Sequence, residues 1–276
     1  MLSLVMPFYN NAALVHRHLS QRADYPQRLL DETELILVDD CSDPAPKLDE
    51  LPRNTAIYRV TTSLDWNQSG ARNLGAVVAR HDWLLLTDID HFFTTEDLST
   101  LLDELPTLDR DVAYDFRRMS EDGSERDPHP NTWLLRREAF IELGGADEDF
   151  AGHYGHEDLI FNWRWAQSAR FTRRHPSVSV MVERDGATPG LERDHERNAQ
   201  LMDAKIERRE LFAPGPMLRF DWTVVADNRP ALRSPAWREI GTRARVASRS
   251  ALRFGRRARA KMRRWRDRQA QPDQAG

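Results

Sequence analysis

The sequence contains very little cysteine, few lysines and no long apolar run. Cys41 is the only cysteine among the 276 residues, which excludes an internal disulfide and cysteine-held zinc and fits a reducing compartment. No window approaches the roughly 18 consecutive apolar residues that a membrane-spanning helix needs. Residues Met1–Pro7 lack the basic start and the cleavage site of a signal peptide, so we expect a first strand there and a cytoplasmic protein.

Acidic and basic residues are distributed unevenly along the chain. Residues 233–276 contain 14 Arg or Lys against three acidic residues, a net charge of +11, whereas the first 232 residues have a net charge of −15. This division predicts an acidic body, residues 1–222, and a basic tail, residues 223–276. Arginines with interspersed apolar residues over 233–268 fit either an interfacial helix on an anionic membrane surface or a disordered extension. Because the body is acidic, nucleic acid is the least favoured partner.

Short apolar runs alternate with helical patterns in the first third of the chain. The runs of strand length are Leu2–Met6, Glu34–Val38, Ala56–Val60 and Trp83–Leu86. Helical spacing predicts one helix from Asn10 or Asn11 to about Ser20, and another that starts at Ser69 or Gly70. Strands that alternate with helices predict an α/β fold with a mostly parallel, doubly wound sheet.

Beyond Phe93 the pattern is less regular. The predicted helices are Leu98–Leu105, Arg137–Leu143, His156–Ser168 and Arg193–Leu211. The predicted strands are Asp111–Phe116, Thr132–Leu135 and Val178–Val182. The highly polar segment Arg117–Asn131 is predicted to be a mobile loop. In the last helix, Leu201, Met202 and Ile206 are the expected inward residues.

Polar residues follow the predicted strands at three points: Pro7–Asn10, Asp39 with Asp40, and Asp88 with Asp90. Ligands of such sheets bind beyond the carboxyl ends of the strands, so these residues are expected to converge. Alternation puts the last two carboxylates on the same side of the chain, where a divalent cation would relieve their repulsion. Oxygen ligands suit Mg²⁺ or Mn²⁺. A solvated loop after a strand is the alternative, because Asp-x-Asp is a frequent pattern.

Five segments, taken in order, resemble the inverting glycosyltransferases of family 2. They are Leu-Val-Met-Pro-Phe-Tyr-Asn (4–10), Leu-Val-Asp-Asp-Cys-Ser (37–42), Gly-Ala-Arg-Asn-Leu-Gly (70–75), Leu-Thr-Asp-Ile-Asp (86–90) and Gly-His-Glu-Asp (155–158). The last segment also resembles the galactosyltransferase-type C-terminal half. The match runs from Leu2 to about Lys205. It implies the GT-A fold of nucleotide-diphospho-sugar transferases, with a Rossmann-like, mostly parallel sheet flanked by helices.

The resemblance places the nucleotide against the first two strand ends. Tyr9 would stack on the base, Pro7 would shape the turn, and Asp40, in preference to Asp39, would accept from a uracil-type edge. Arg72, in the first turn of a helix, would pair with the diphosphate. On residue type alone, Tyr9 also fits a half-buried core aromatic, Asp39 a turn-stabilising residue and Arg72 a surface arginine.

The resemblance also implies a metal site. Asp90 would be the direct ligand of Mn²⁺ or Mg²⁺, and Asp88 would contact the ribose or sugar. Many relatives add a downstream histidine as a further ligand, and the matching region of this chain has none. His195 is the preferred substitute, with His175 and His91 as others, although a histidine in a charged segment also fits a solvated position.

An inverting transfer needs a carboxylate that takes the proton of the acceptor hydroxyl. By motif position this general base is Asp158, and Glu157 would bind the acceptor or support the site. Acidic residues in the first turn of a helix also stabilise it through the dipole, which is the plain structural alternative. Tyr154 is expected against the acceptor sugar, and Trp66 with Asn67 against the donor sugar.

These expectations combine into an inverting hexosyltransferase that moves a sugar, with a UDP-sugar favoured, to a glycan or lipid-linked acceptor in polysaccharide biosynthesis. A peripheral position on the inner face of the membrane would suit a lipid-linked acceptor. A sugar-phosphate nucleotidyltransferase is an alternative, but it would need a glycine-rich, basic loop where Pro7–Asn11 stands. A catalytically silent sugar-nucleotide or glycan-binding module is the other alternative. Intact Asp90 and Asp158 argue against such a module, and the missing third ligand argues mildly for it.

Overall fold

The computed structural model describes most of the chain before the basic tail. The described ranges are residues 1–48, 50–126, 129–168, 170–183 and 193–230. The basic segment 233–268, predicted to be either an interfacial helix or a disordered extension, therefore lies outside the described residues. Within these ranges, no helix has the length and apolar content needed to cross a membrane.

The strands and helices of the described residues follow the predicted alternation in the first part of the chain. The strands are β1 (Leu2–Phe8), β2 (Thr33–Asp39), β3 (Thr55–Val60), β4 (Trp83–Leu86), β5 (His91–Phe92), β6 (Val112–Ser120), β7 (Glu125–Arg126), β8 (Trp133–Arg136), β9 (Phe171–Val182) and β10 (Trp222–Asp227). The helices are α1 (Ala12–Ala23), α2 (Gln27–Glu32), α3 (Gln68–Val78), α4 (Thr95–Glu104), α5 (Arg137–Glu142), α6 (Glu157–Gln167) and α7 (Glu196–Glu207), and Glu148–Phe150 forms a short 3-10 helix.

All strands of the described residues belong to one sheet. Its order is β10-β3-β2-β1-β4-β8-β6-β9-β5, with β7 paired to β6. The segment β3-β2-β1-β4 is parallel, and β6 with β9 adds a further parallel pair. Strand β8 is antiparallel to both β4 and β6. The predicted α/β class with a mostly parallel sheet is confirmed.

Helices cover both faces of this sheet. Alternate strand residues point to opposite sides, and apolar residues on each side pack against helices. Leu4 and Met6 of β1 join one apolar cluster with Leu14 of α1 and Leu101 of α4. Val5 joins the other cluster with residues of α3, α5 and α6. Helix α3 packs closely on β1, since a Cβ atom at Gly75 would lie 2.2 Å from Val5 Cγ1.

The polar segment predicted as a mobile loop, Arg117–Asn131, is largely ordered. Strand β6 continues to Ser120, and β7 pairs back onto it, with Arg118 opposite Arg126. The chain turns through Gly123, whose φ of +81° suits glycine. The loop prediction is therefore corrected to a β-hairpin that extends the sheet beside the carboxyl end of β4.

The packed body continues past the boundary predicted at residue 222. Strand β10 pairs antiparallel with β3, and the buried Arg229 follows it. One nitrogen of this guanidinium lies 2.8 Å from Glu34 Oε2, and the other donates to the Tyr58 hydroxyl at 2.6 Å. A buried arginine paired in this way fixes the end of the described chain at the amino-terminal edge of β2 and β3.

Candidate active site

The carboxyl ends of β1 and β2 form one continuous turn structure. The backbone N–H of Asp40 donates to Phe8 O at 2.8 Å, and the N–H of Asn10 donates to Ser42 Oγ at 2.8 Å. Asp39 is 2% exposed, and its two oxygens accept from Ser42 N and from the Arg59 guanidinium. Asp39 is therefore fully used in holding the turn, as the alternative interpretation of this residue expected.

Asp40 lies in a different environment. Its Oδ2 accepts from Asn67 N at 2.8 Å, whereas its buried Oδ1 has no hydrogen-bond partner among the described residues. Burial, followed by the nearby Asp39, raises the pKa of the Asp40 carboxyl to about 7. Tyr9 is half-buried after β1, two residues beyond the buried Pro7. A buried oxygen without a partner needs a donor, and Asp40 therefore fits the predicted base contact better than Asp39 does.

Asn67 and Trp66 connect this turn to the rest of the site. Asn67 is fully buried, and its Oδ1 caps α3 by accepting from Gly70 N at 3.1 Å. The Trp66 ring lies 4.8 Å from the Tyr154 ring, centroid to centroid. Asn67 is thus a buried helix cap with little exposed surface for a sugar. Trp66 links the turn that contains Asp40 to the loop that precedes α6.

Asp88, directly after β4, is held by three donors. Gln68 Nε2 and Arg72 Nη2 both donate to Oδ1 at 2.8 Å, and the Asn131 amide donates to Oδ2. The Arg72 side chain is 2% exposed and lies 5.4 Å from the Trp133 ring. Only Nη2 makes this contact, and the buried Nε has no hydrogen-bond partner among the described residues, so the role expected for Arg72 at the diphosphate stays a prediction.

Asp90 has fewer contacts with the protein than Asp88. Burial, followed by repulsion from Asp88, raises the pKa of the half-exposed Asp90 to about 7, and the charges of Arg118 and Arg126 act in the opposite direction. A carboxylate whose ionised form is disfavoured in this way fits a divalent cation that takes its other ligands from phosphate oxygens. The sequence alone did not indicate that Arg118 and Arg126 lie near Asp90, since their position depends on the pairing of β7 with β6.

A third protein ligand is not assembled around this pair. The part of the chain that the structure describes contains no group of three His, Cys, Asp or Glu residues placed to hold a metal ion. His195 packs at 4.8 Å from the Tyr154 ring, and the described residues do not assemble the predicted set of Asp88, Asp90 and His195. His175 lies by Glu104, and His91 is buried with its Nδ1 2.7 Å from Thr132 Oγ1.

Helix α6 presents the two carboxylates expected to act on the acceptor. The chain enters the helix through left-handed residues, Gly155 with φ +84° and His156 with φ +71°. Glu157 is 5% exposed, and burial with the adjacent Asp158 raises the pKa of its carboxyl to about 7. Asp158 is half-buried and accepts from Leu159 N at 2.7 Å. The neighbouring carboxylates therefore differ in solvent access, with Asp158 the more open.

Helix α7 holds the loop before α6 in place. Asn198 Nδ2 lies within hydrogen-bond distance of three carbonyl oxygens, those of Phe150 at 3.1 Å, His153 at 2.8 Å and Gly155 at 2.9 Å. Tyr154 in this loop has a raised pKa, mainly through burial, and the charges of Asp88, Glu157 and Asp158 also act on it. Tyr154 in this loop is thus close enough to Asp88 on one side, and to Glu157 and Asp158 on the other, to feel their charges. Sequence reasoning missed Asn198, because a polar residue inside a charged helix gives no periodic signal.

The model of Glycosyl transferase family 2 matches residues 3–166. An uncharacterized glycosyltransferase of Haemophilus influenzae is 32% identical over 105 residues, which cover 37% of this chain and 33% of that protein. This chain therefore spans about a third of that relative.

Two solved structures share the fold at low sequence identity. The crystal structure of S. aureus TarS 1-349 in complex with UDP-GlcNAc has a TM-score of 0.56 and 16% identity, covering 74% of this chain and 66% of that chain. The crystal structure of GalNAc-T7 with UDP, GalNAc and Mn²⁺ also has a TM-score of 0.56 and 16% identity, covering 76% and 49%. This chain covers less than two thirds of either structure.

The sheet order and these structural neighbours show the GT-A fold. The family match extends over more than half of the chain. The chain belongs to glycosyltransferase family 2.

Proposed function

We propose that this protein is a metal-dependent inverting glycosyltransferase that transfers a hexosyl group from a UDP-sugar to a hydroxyl of a glycan or lipid-linked acceptor. The observation that carries the proposal is the family match over residues 3–166, and within that region the buried Oδ1 of Asp40 has no hydrogen-bond partner among the described residues. Burial also raises the pKa values of the Asp40, Asp90 and Glu157 carboxyls, as is common at sites that bind a ligand or move a proton. TarS in complex with UDP-GlcNAc, and GalNAc-T7 with UDP, support UDP as the nucleotide.

The base of the nucleotide binds at the ends of β1 and β2. Asp40 Oδ1 has no partner in the described protein, and an imide N–H of uracil would donate to it. Tyr9 offers an aromatic face next to this position, and Pro7 shapes the turn before it. This arrangement selects a base with a donor at its Watson–Crick edge.

The diphosphate binds next to Asp90. When bound there, Mn²⁺ or Mg²⁺ neutralises the charge of the leaving nucleoside diphosphate. Asp90 would hold the ion together with phosphate oxygens. Asp88, fixed by its three donors, faces the ribose or sugar. Arg118 and Arg126 add positive charge on the hairpin side. They are close enough to Asp90 to oppose the rise in its pKa.

The transfer is a single displacement at the anomeric carbon. Asp158 takes the proton of the acceptor hydroxyl while the oxygen attacks opposite the leaving nucleotide, and the bond from carbon to the diphosphate oxygen breaks. Glu157, whose burial favours its protonated form, supports Asp158 without adding a second full negative charge. Tyr154 and Trp66 line the sugar position. Positioning and electrostatic stabilisation supply the rate, with no covalent enzyme intermediate.

The proposed setting is the cytoplasm, with residues 233–268 as the contact to the inner face of the membrane. Lysine and arginine near an anionic surface each contribute about 1 kcal/mol. A basic segment next to an acidic body would bring a lipid-linked acceptor close to the enzyme while leaving nucleic acid unfavoured.

Calorimetric titration with UDP, GDP, CDP and ADP, in Mn²⁺, Mg²⁺ or chelator, tests the donor site. We expect UDP to bind most tightly and its affinity to fall in chelator. Asp90→Ala should abolish the metal effect, and the matched control Asp24→Ala, which changes an exposed carboxylate at the end of α1, should leave it unchanged. A UDP affinity that is the same in metal and in chelator would contradict the proposed metal site. Metal-dependent binding without turnover of any donor or acceptor would favour the sugar-nucleotide-binding module.

A further inference from the structure

Helix α1 contacts the turn that contains the two carboxylates of the metal motif. His18 is 5% exposed, and its Nε2 lies 2.8 Å from Ile89 O, the carbonyl between Asp88 and Asp90. A carbonyl oxygen only accepts, so His18 Nε2 carries the hydrogen and donates it. The imidazole also stacks on Phe92, with ring centroids 4.3 Å apart and planes 7° apart.

A second side chain of α1 reaches the far end of the same turn. Gln21 Nε2 donates to Phe93 O at 2.9 Å. Residues three apart on a helix share a face, so His18 and Gln21 hold two carbonyls of residues 89–93 from one surface. Arg17 extends this contact, because it lies over the Phe92 ring at 4.1 Å and forms an ion pair with Glu183.

Packing alone does not explain these polar residues. Leu14, Val15 and Leu19 already attach α1 to the apolar layer, and another leucine would fill the place of His18 at no desolvation cost. Burying an imidazole is unfavourable unless it is hydrogen-bonded. The hydrogen bond is made to the backbone of the turn, and a turn with two like charges, Asp88 and Asp90, needs external contacts to keep its shape.

We propose that helix α1 is a positioning element of the metal site, in which His18 and Gln21 fix the carbonyls of Ile89 and Phe93 and thereby the direction of the Asp90 carboxylate. This inference rests on the proposed function at Asp90. Neither side chain touches substrate, so both are positioning residues. Such outer contacts typically affect metal affinity by about 10-fold or more when they are removed.

The test is the Mn²⁺ affinity in the presence of saturating UDP, measured from the EPR signal of free Mn²⁺ on the full chain. His18→Phe keeps the stacking on Phe92 and removes the donor, and we expect Mn²⁺ binding to weaken about 10-fold or more. His18→Gln restores an amide donor and should recover most of the affinity. Gln21→Met should weaken binding in the same direction. The control His16→Ala changes an exposed histidine of the same helix and should leave the affinity unchanged.

A second readout separates positioning from folding. UDP affinity in chelator depends on the Asp40 turn and should be the same in all variants. Unchanged Mn²⁺ affinity in His18→Phe and Gln21→Met would overturn the inference, as would equal loss in His18→Phe and His18→Gln. If His18→Phe does not fold, Gln21→Met decides alone. Wild-type protein that fails to bind Mn²⁺ with UDP would instead contradict the proposed function.

Discussion

Asn67 joins two parts of the active site, since its backbone N–H donates to Asp40 Oδ2 at 2.8 Å while its side chain caps helix α3. The first turns of that helix contain Gln68 and Arg72, which hold Asp88. The proposed base pocket and the proposed metal site are therefore connected by one short segment. A change at Asp40 and a change at Asp88 are consequently expected to affect the same ligand.

Replacement of Asp40 tests the base pocket. In Asp40→Asn the amide keeps an oxygen toward Asn67 N and turns its NH₂ toward the uracil N–H, so two donors oppose each other. We expect UDP to bind about 10-fold or more weakly, in line with a lost hydrogen bond to a charged group. Calorimetry measures this, with the exposed Asp43→Asn as the matched control. Equal UDP affinity in the two variants would exclude Asp40 from base recognition.

The pH dependence of UDP binding gives an independent test of the same residue. The pKa of Asp40 is raised to about 7, so its carboxylate is protonated below that pH and becomes a poorer acceptor. UDP affinity measured in chelator, where Asp90 holds no metal, should therefore fall as the pH drops from 8 to 6, and Asp40→Asn should reduce this dependence. A wild-type affinity that is flat over this range would contradict the assignment.

Glu157 should make the folded protein less stable at pH 7 and above than near pH 4.5. Its pKa is raised from 4.5 to about 7 in the folded state, so the folded state binds more protons than the unfolded state between these values. The free energy of unfolding should fall as pH rises from about 4.5 to about 7, by on the order of 1–3 kcal/mol. Urea unfolding at pH 5 and pH 8 should show a smaller change in Glu157→Gln. The control Glu207→Gln, at an exposed position of α7, should match wild type, and an equal pH effect in all three proteins would contradict this reasoning.

Asn198→Asp should disorder the loop before α6 and leave the nucleotide site intact. A carboxylate at this position would face the carbonyl oxygens of Phe150, His153 and Gly155 without a hydrogen to donate. We expect faster amide hydrogen exchange over residues 150–156 and unchanged UDP affinity. Gln200→Glu adds the same charge at an exposed position of α7 and should change neither. Unaltered exchange in Asn198→Asp would show that the loop does not depend on this amide.

Arg229→Met should destabilise the fold by several kcal/mol, because it leaves the carboxylate of Glu34 buried without its charged partner. The double variant with Glu34→Gln should recover part of the loss. UDP affinity should not change, since Arg229 lies at the amino-terminal edge of the sheet. Urea unfolding measures this difference. The control is Arg208→Met, which removes an exposed ion pair with Glu210. A cost no greater than that of the control would mean that β10 is held by its backbone pairing alone.

The strands of the parallel segment could be predicted because each is a local apolar run. Trp83–Leu86 has the predicted bounds, and Leu2–Met6 extends by two residues to Phe8. The candidate site residues Asp40, Asp88 and Tyr154 lie around the segment from Trp66 to Arg72, and their roles stay predictions. The choice between Asp39 and Asp40 for the base, made from the resemblance, now has a physical basis in the orphaned Oδ1 of Asp40.

Other features depend on contacts that the sequence does not contain locally. In α7 the apolar Leu201, Met202 and Ile206 were expected inward, but they are half-buried, whereas the polar Asn198 and Lys205 are buried. The ammonium group of Lys205 lies between Asp147, Asp149 and Glu210, at 3.1, 2.7 and 3.0 Å. Three acidic partners from other segments make burial of this charge possible. The hairpin of β6 and β7 was missed for the same reason, since its strands are polar and their pairing is tertiary.

The most direct test of the proposed reaction is an NMR assay of the sugar released from a UDP-sugar in Mg²⁺, comparing wild type with Asp158→Asn. Water then takes the place of the acceptor hydroxyl, and Asp158 removes its proton. We predict that the first sugar released has the inverted anomeric configuration, and that Asp158→Asn loses release while it keeps wild-type UDP affinity. Release with retained configuration, or undiminished release by Asp158→Asn, would contradict a single displacement with Asp158 as the base.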